Sequence, residues 1–151
     1  MAIKRSAWAK GEFQAPVSRE GGGVVAEKYK FVVNENLAIG DIVELAILPA
    51  FHRVVDAILI TDALGASVTA DVGVMSGEVG AATNVGGGAR TSGAELWSGE
   101  AVATAGAKRV TKVDAFRIAP VEAHRSIGVK IGGAAVTASG QVIELVLFTI
   151  Q

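Results

Sequence analysis

The chain has 151 residues, half of them hydrophobic and 5% aromatic, with a formal net charge of −1 and no cysteine. This length suits one domain with an aliphatic core, and the balanced charge excludes a global basic field for nucleic acid. The lack of cysteine excludes disulfides, thiolate metal sites and a cysteine nucleophile. We expect no membrane span, because no apolar run approaches about 18–20 residues, and no signal peptide.

Residues 1–30 differ in character from the rest of the chain. They carry six cationic and three anionic side chains and show little apolar periodicity. Three apolar residues offer anchors: Trp8, Phe13 and Val17. We predict an extended N-terminal arm over 1–30, followed by one β-sandwich domain over 31–151. Such an arm is either a terminus without a role or a segment that docks on a neighbouring subunit through Trp8 and Phe13.

Three β-rich runs follow one another in the middle of the chain. They are Ile42–Leu48, Val54–Ile60 and Val68–Val74. The last alternates apolar and polar residues with a period of two, which is typical of a half-buried strand. Residues 41–44 also fit a helix capping box, but Pro49 would end that helix after about two turns, so its β-branched content favours a strand. We expect three consecutive antiparallel strands.

Further strands are predicted at Tyr29–Val33, Val113–Ile118, Ser126–Ile131 and Gln141–Ile150. The last run is apolar on both faces except for Glu144, which is typical of a strand in the middle of a sheet or at a subunit interface. On its second face, Val146 and Phe148 are candidate partner contacts.

A long stretch of small residues, Gly77–Gly93, interrupts the strand pattern. It cannot fill a core, so we predict a surface loop that is either functional or mobile. Seven or eight short strands with turn signals about every ten residues indicate an all-β fold, a jelly-roll-like antiparallel β-sandwich.

The residues give little support for catalysis. His52 and His124 are the only histidines, and neither has a partner at metal-ligand spacing. Glu44 and Asp56 would form a carboxylate pair only if they met in a cleft. A metal-dependent jelly-roll enzyme therefore stays a minor alternative, and we expect no catalytic residue, no metal and no cofactor.

Ligand-binding motifs are equally weak. The run Gly86-Gly87-Gly88 lacks the lysine and hydroxyl residue of a phosphate loop. Lys108, Arg109 and Lys112 form a small basic cluster without interleaved aromatic residues, so a nucleic-acid partner is not expected. Trp97, next to the long loop, is the one aromatic that suits a carbohydrate-binding or host-surface module.

Three stretches resemble the head decoration, or cement, proteins of tailed bacteriophages. The first is Ile39–Ile60, with Gly40-Asp41-Ile42-Val43-Glu44-Leu45, then Leu48-Pro49-Ala50, then Val54-Val55-Asp56. The second is Leu64–Val74, and the third is Glu122–Leu147, with Arg125-Ser126-Ile127-Gly128-Val129-Lys130 and a closing strand. Phe51-His52 departs from the small residues expected after Pro-Ala, and the N-terminal arm has no counterpart.

The resemblance implies a non-enzymatic virion protein that is made in the bacterial cytoplasm and assembles as a homotrimer. It would bind the outside of a phage capsid and tie neighbouring major capsid proteins together, with no membrane or nucleic-acid partner. Trp8, Phe13, Trp97, Val146 and Phe148 are the candidate contacts. Another phage part, such as a fibre, tail or head–tail joining protein, and a carbohydrate-binding module stay as alternatives.

Overall fold

The computed structural model describes residues 1–16 and 22–151. This part of the chain contains nine β-strands and one short helix. The predicted anchor Val17 and the first glycine of the triplet, Gly21, lie outside the described residues. The elements are β1 Ile3–Arg5, β2 Val25–Val32, β3 Ile42–Leu48, β4 Arg53–Thr61, β5 Thr69–Val74, β6 Trp97–Ala101, β7 Gly106–Arg109, α1 Val113–Phe116, β8 Arg125–Gly132 and β9 Val142–Ile150.

The strands form two sheets in jelly-roll order. Sheet A has the order β1-β3-β8-β5-β6, and sheet B has the order β2-β9-β4-β7. From β2 onward the chain crosses from one sheet to the other at each step except between β5 and β6, which is the alternation of a double-sheet jelly roll. The predicted all-β sandwich is therefore confirmed.

The prediction that the three central runs pair with one another is wrong. β3 and β5 lie in sheet A on either side of β8, and β4 lies in sheet B between β9 and β7. The short 49–52 connection carries the chain between sheets, with Phe51 at a φ of 63°. Alternation within a strand specifies which face is buried but not which strand lies beside it.

The final strand behaves as its two-sided pattern predicts. β9 is central in sheet B, paired with β2 on one side and β4 on the other. Ile143, Leu145 and Leu147 are buried against sheet A, while the alternate residues are partly exposed on the outer face. Burial on one side and partial cover on the other follow from its central place in the sheet.

The predicted strand over Val113–Ile118 is also wrong, because the structure has helix α1 there. Ala115 is buried while Val113 and Phe116 are exposed, so the spacing of three between the exposed residues is helical. Asp114 in the first turn suits the positive end of a helix. Six residues are too few for periodicity to separate the two structures.

The first residues do not stand apart from the sandwich as the predicted arm would. Ile3–Arg5 pairs in parallel with β3, and β2 begins at Val25, four residues before the predicted start at Tyr29. The Ser6 hydroxyl donates to the Leu45 carbonyl at 2.6 Å, which fixes the segment after β1 on the sheet. Tertiary hydrogen bonds hold this segment, which has little apolar pattern of its own.

Candidate interaction site

The long small-residue loop lies on the outer face of sheet A. Met75 N–H donates to the Ser126 carbonyl at 2.8 Å, and Ser76 N–H donates to the Thr91 carbonyl at 2.9 Å. A Cβ on Gly128 would lie 2.7 Å from Met75 Cγ, and one on Gly73 would lie 2.4 Å from the Gly93 carbonyl carbon. Glycines on the sheet therefore let the loop backbone approach closely.

A buried ion pair fastens this loop to β3. The side chains of Glu44 and Arg90 are both 0% exposed, and Arg90 Nη2 donates to Glu44 Oε1 at 2.9 Å. The same oxygen accepts the Gly80 N–H at 2.9 Å and the Ser126 hydroxyl. Arg5 Nε donates to Glu44 Oε2 at 3.2 Å. We call these side chains, Arg5, Glu44, Arg90 and Ser126, the Glu44 cluster.

The electrostatics of the Glu44 cluster keep the carboxylate ionised. Burial alone raises the pKa of Glu44, but the hydrogen bonds from Arg90, Ser126 and the Gly80 N–H outweigh it and hold the pKa below its ordinary value. Arg90 also donates from Nε to the Ser76 carbonyl at 2.7 Å and from Nη1 to the Ala81 carbonyl at 2.9 Å. Hydrogen bonds therefore satisfy both Glu44 and Arg90, and the cluster holds the loop on sheet A.

The N-terminal segment forms a cavity next to the Glu44 cluster. The Trp8 ring lies 5.1 Å from the buried Tyr29 ring in an edge contact and 4.8 Å from Phe13. Together with Arg5, Lys10, Ile47, Val79 and His124, these two N-terminal rings line an open cavity of about 790 Å³, the Trp8 cavity. Of the two predicted arm anchors, Trp8 packs on its own sandwich, while Phe13 is 54% exposed.

The outer face of sheet B is the second surface of interest. Val146 lies between Lys28 and Ile58 in neighbouring strands, and Phe148 lies between Ala26 and Asp56. These rows place partly exposed apolar side chains at the centre of the sheet. The charges beside them are paired within the face, Lys28 with Glu144 at 2.9 Å and Arg109 with Asp56 at 2.7 Å.

Several residues considered from the sequence have structural roles. Trp97 is 4% exposed, so its ring offers no platform to a sugar. Glu44 and Asp56 lie in different sheets, each paired with its own arginine, and form no carboxylate pair. The basic cluster is balanced residue by residue, since Lys108, Arg109 and Lys112 contact Glu100, Asp56 and Asp114.

The two histidines differ in their surroundings. His52 is buried, and its Nδ1 lies 2.9 Å from the Thr149 hydroxyl. Burial, with a smaller contribution from His124, lowers the pKa of His52. His124 is exposed and accepts the Ala50 N–H at 3.0 Å. Within residues 1–16 and 22–151, no group of three or more metal-ligating side chains is found.

Sequence reasoning missed Arg90 as the centre of the loop. It belongs to no recognised motif, but it is the one charged residue between Glu78 and Glu95. A lone arginine in a run of small residues is a signal for a buried anchor, because its side chain carries the only charge-assisted donors available there. Its partner in β3 is 46 residues away in sequence and has no local signature.

The helices in the described ranges give no sign of a membrane segment, since none is long and apolar enough to cross a bilayer. What the fold and these surfaces define is a β-sandwich of the double-sheet jelly-roll type. That architecture occurs in viral capsid proteins, lectins and cupins, so fold alone does not select a function.

Comparison with solved structures shows which class of jelly-roll protein the chain resembles. The chain is similar to a chain in the capsid of Ralstonia phage GP4, with 39% identity, a TM-score of 0.89, and coverage of 99% of this chain and 97% of that one. It also shares its fold with a chain in the capsid asymmetric unit of cyanophage Pam1, with 21% identity, a TM-score of 0.59, and coverage of 92% and 93%. No family model matches the sequence, and no curated protein matches it.

Identity at this level over nearly the full length of both chains shows common descent. The chain therefore belongs to a family of bacteriophage capsid proteins, and it is a structural component of the virion. The resemblance to phage head proteins is confirmed at this level.

Proposed function

We propose that the protein is a capsid decoration protein, which binds the outside of a phage capsid as a homotrimer and ties neighbouring major capsid proteins together. The observation that carries the proposal is the similarity, over almost the entire length, to a chain of a phage capsid. It favours a capsid role over a fibre, tail or head–tail joining part. The buried ring of Trp97 weighs against the carbohydrate-binding alternative.

The outer face of sheet B supports the homotrimer. Its apolar centre, which includes Val146 and Phe148, is partly exposed in the single chain. Four of the charges near this centre form two ion pairs within the face, so the centre itself does not demand a strongly charged partner. A different surface of the next copy can cover this apolar centre, as in the head-to-tail contacts that close a trimer.

The mechanism is binding linkage and requires no catalytic group. A protein that binds only the assembled shell stabilises the shell by mass action. A trimer that contacts several shell subunits at once gains from high effective concentration, so weak single contacts add to a strong attachment. The buried Glu44–Arg90 pair keeps the long loop ordered, so less entropy is lost when a surface beside it is covered.

The decisive experiment mixes the purified protein with capsids assembled without it. Before mixing, light scattering on the purified protein alone should give a mass of about 46 kDa, three times the 15.4 kDa of one chain. Bound protein should be removed by external protease and should raise the temperature at which the capsid disassembles. A protein that forms no oligomer, or that leaves the capsid melting temperature unchanged at saturation, would overturn the proposal.

A further inference from the structure

Within the described residues, the charged side chains that line the Trp8 cavity are all cationic. Among the described residues that line it, none carries a carboxylate, while Arg5 and Lys10 are cationic. Arg5 shares the carboxylate of Glu44 with the buried Arg90, so these three side chains together keep a positive charge beside the cavity. Within the described residues, Lys10 is exposed and forms no ion pair.

The floor and one side of the cavity are apolar. Ile47 is buried at its base, Trp8 is partly buried, and Phe13 stacks on Trp8 with more than half of its surface exposed. An aromatic pair that is left partly uncovered beside a cavity is the arrangement in which a partner's apolar side chain is desolvated. The space has room for one or two such side chains.

The walls are held in place before any partner arrives. Lys10 N–H donates to the Ser6 carbonyl, and Gly11 N–H donates to the Trp8 carbonyl, both at 3.0 Å. The opposite wall, at Val79 and Gly80, is fixed because the Gly80 N–H donates to the buried carboxylate of Glu44. A preformed cavity loses little conformational entropy when it is filled.

We propose that the Trp8 cavity receives an acidic, apolar segment of the capsid shell protein, with an apolar side chain against Trp8 and Phe13 and a carboxylate facing Lys10 and Arg5. The inference rests on the proposed decoration function and names the partner's chemistry. Charge complementarity selects this occupant, because a cavity with cationic walls and an aromatic floor fits a carboxylate beside an apolar group. The outer face of sheet B, with its apolar centre, is left to the neighbouring copy.

The test measures cosedimentation of the protein with capsids that lack it. Phe13→Ala and Lys10→Glu change exposed side chains and should leave the fold intact. We expect each variant to bind at least tenfold more weakly than the unchanged protein, with the Lys10→Glu loss larger at low salt. Phe116→Ala and Arg117→Glu are matched controls, since they change an aromatic and a cation that are also exposed but lie in or next to α1.

A direct readout is quenching of tryptophan emission by iodide. Trp97 is buried, so the quenchable emission of this chain comes from Trp8, and the emission of capsids without the protein is subtracted. Capsid binding should reduce quenching in the unchanged protein and in both controls. If Trp8 stays as accessible on the capsid as in solution, the cavity is not the docking site.

The remaining outcomes separate the inference from the function on which it rests. Unchanged binding by both cavity variants would overturn the inference and leave decoration intact, whereas failure of the unchanged protein to bind would overturn decoration itself. Dissociation of the oligomer by either cavity variant would make a second copy the occupant and overturn the inference. Loss of binding after nuclease treatment of the capsids would also overturn the inference, because nucleic acid would then be the occupant of the cavity.

Discussion

At the scale of single residues, Glu44 has the most consequential position. It interrupts an apolar strand, yet it is fully buried and accepts hydrogen bonds from two arginines, a serine and a backbone amide. A carboxylate in such a place is stable only while every partner is present, because the unpaired partner of a broken buried pair keeps its full desolvation cost.

Glu44→Gln should therefore lower the free energy of unfolding by about 3–5 kcal/mol, since it leaves Arg90 buried without its counter-charge. Glu100→Gln is the matched control. It breaks the Lys108 pair, which is partly exposed, and should cost less than about 1 kcal/mol. Urea unfolding of both variants measures the difference. Equal losses would contradict the structural role given to the cluster.

Two of the buried titratable groups, His52 and Glu44, predict two separate pH windows. The pKa of His52 is lowered in the folded chain, so the unfolded chain binds more protons and stability falls as the pH drops below about 6.5. The pKa of Glu44 is also lowered, so its contribution is present above its ordinary value of 4.5 and is lost as the pH falls through the folded value.

Unfolding free energy measured from pH 8 to pH 3 should thus decline in two phases. His52→Asn should remove the upper phase and leave the lower one, while His124→Gln, which changes an exposed ring, should retain both. Glu44→Gln should reduce the lower phase without abolishing it, because the pKa of Asp41 is also lowered, burial being outweighed by hydrogen bonds from backbone N–H groups. An upper phase that survives His52→Asn would assign it to another group.

At the scale of elements, the long loop is ordered by contacts that its own sequence barely signals. Glu44, Gly128 and Gly73 lie in one row across β3, β8 and β5, so the sheet presents a carboxylate and two bare backbone positions to the loop. The tip is closed by the Asn84 N–H, which donates to the Gly88 carbonyl at 2.8 Å. A stretch predicted to be functional or mobile is thus a fixed cover over sheet A.

Gly128→Ala tests this close approach. The added Cβ would lie 2.7 Å from Met75 Cγ and 2.8 Å from the Ser92 hydroxyl, so the loop must move away from the sheet. We expect a loss of about 1–3 kcal/mol and faster proteolysis within 76–93. Gly106→Ala adds a Cβ in open space and should be neutral within about 1 kcal/mol. Equal protease resistance in the two variants would show that the loop does not depend on this contact.

At the scale of the whole molecule, the mean hydropathy of +0.44 is high for so small a chain, and the outer face of sheet B contributes partly exposed apolar side chains to it. The four strands bury one face in the sandwich and leave Val146 and Phe148 partly exposed on the other. A face of this kind is stable in water when a partner covers it, and the proposed trimer supplies that cover.

Val146→Asp should convert the oligomer to a folded monomer, because it places a charged carboxylate at the apolar centre of the face, where a covering copy would have to desolvate it. Val85→Asp is the control: Val85 is 88% exposed in the loop over sheet A and should not affect the mass. Light scattering gives the mass and circular dichroism the fold. A Val146→Asp protein that keeps the mass of the unchanged protein would place the interface elsewhere.

The sequence by itself determined the fold class and the inward residues of the main strands. Ile127, Val129 and Ile131 in β8, and Ile143, Leu145 and Leu147 in β9, are buried as their alternation predicts. Period-two patterning carries this information because adjacent side chains in a strand point to opposite faces. The same patterning, read over six residues, mistook α1 for a strand.

Only the tertiary structure decided which strands are neighbours and how the candidate sites form. β3 pairs with β8 rather than β4, and Glu44 meets Arg90 across 46 residues of sequence. The Trp8 cavity joins the N-terminal segment to Val79 and His124, from two distant loops. Contacts of this kind leave no local pattern, because each depends on the path of the backbone between sheets and not on the residues beside it.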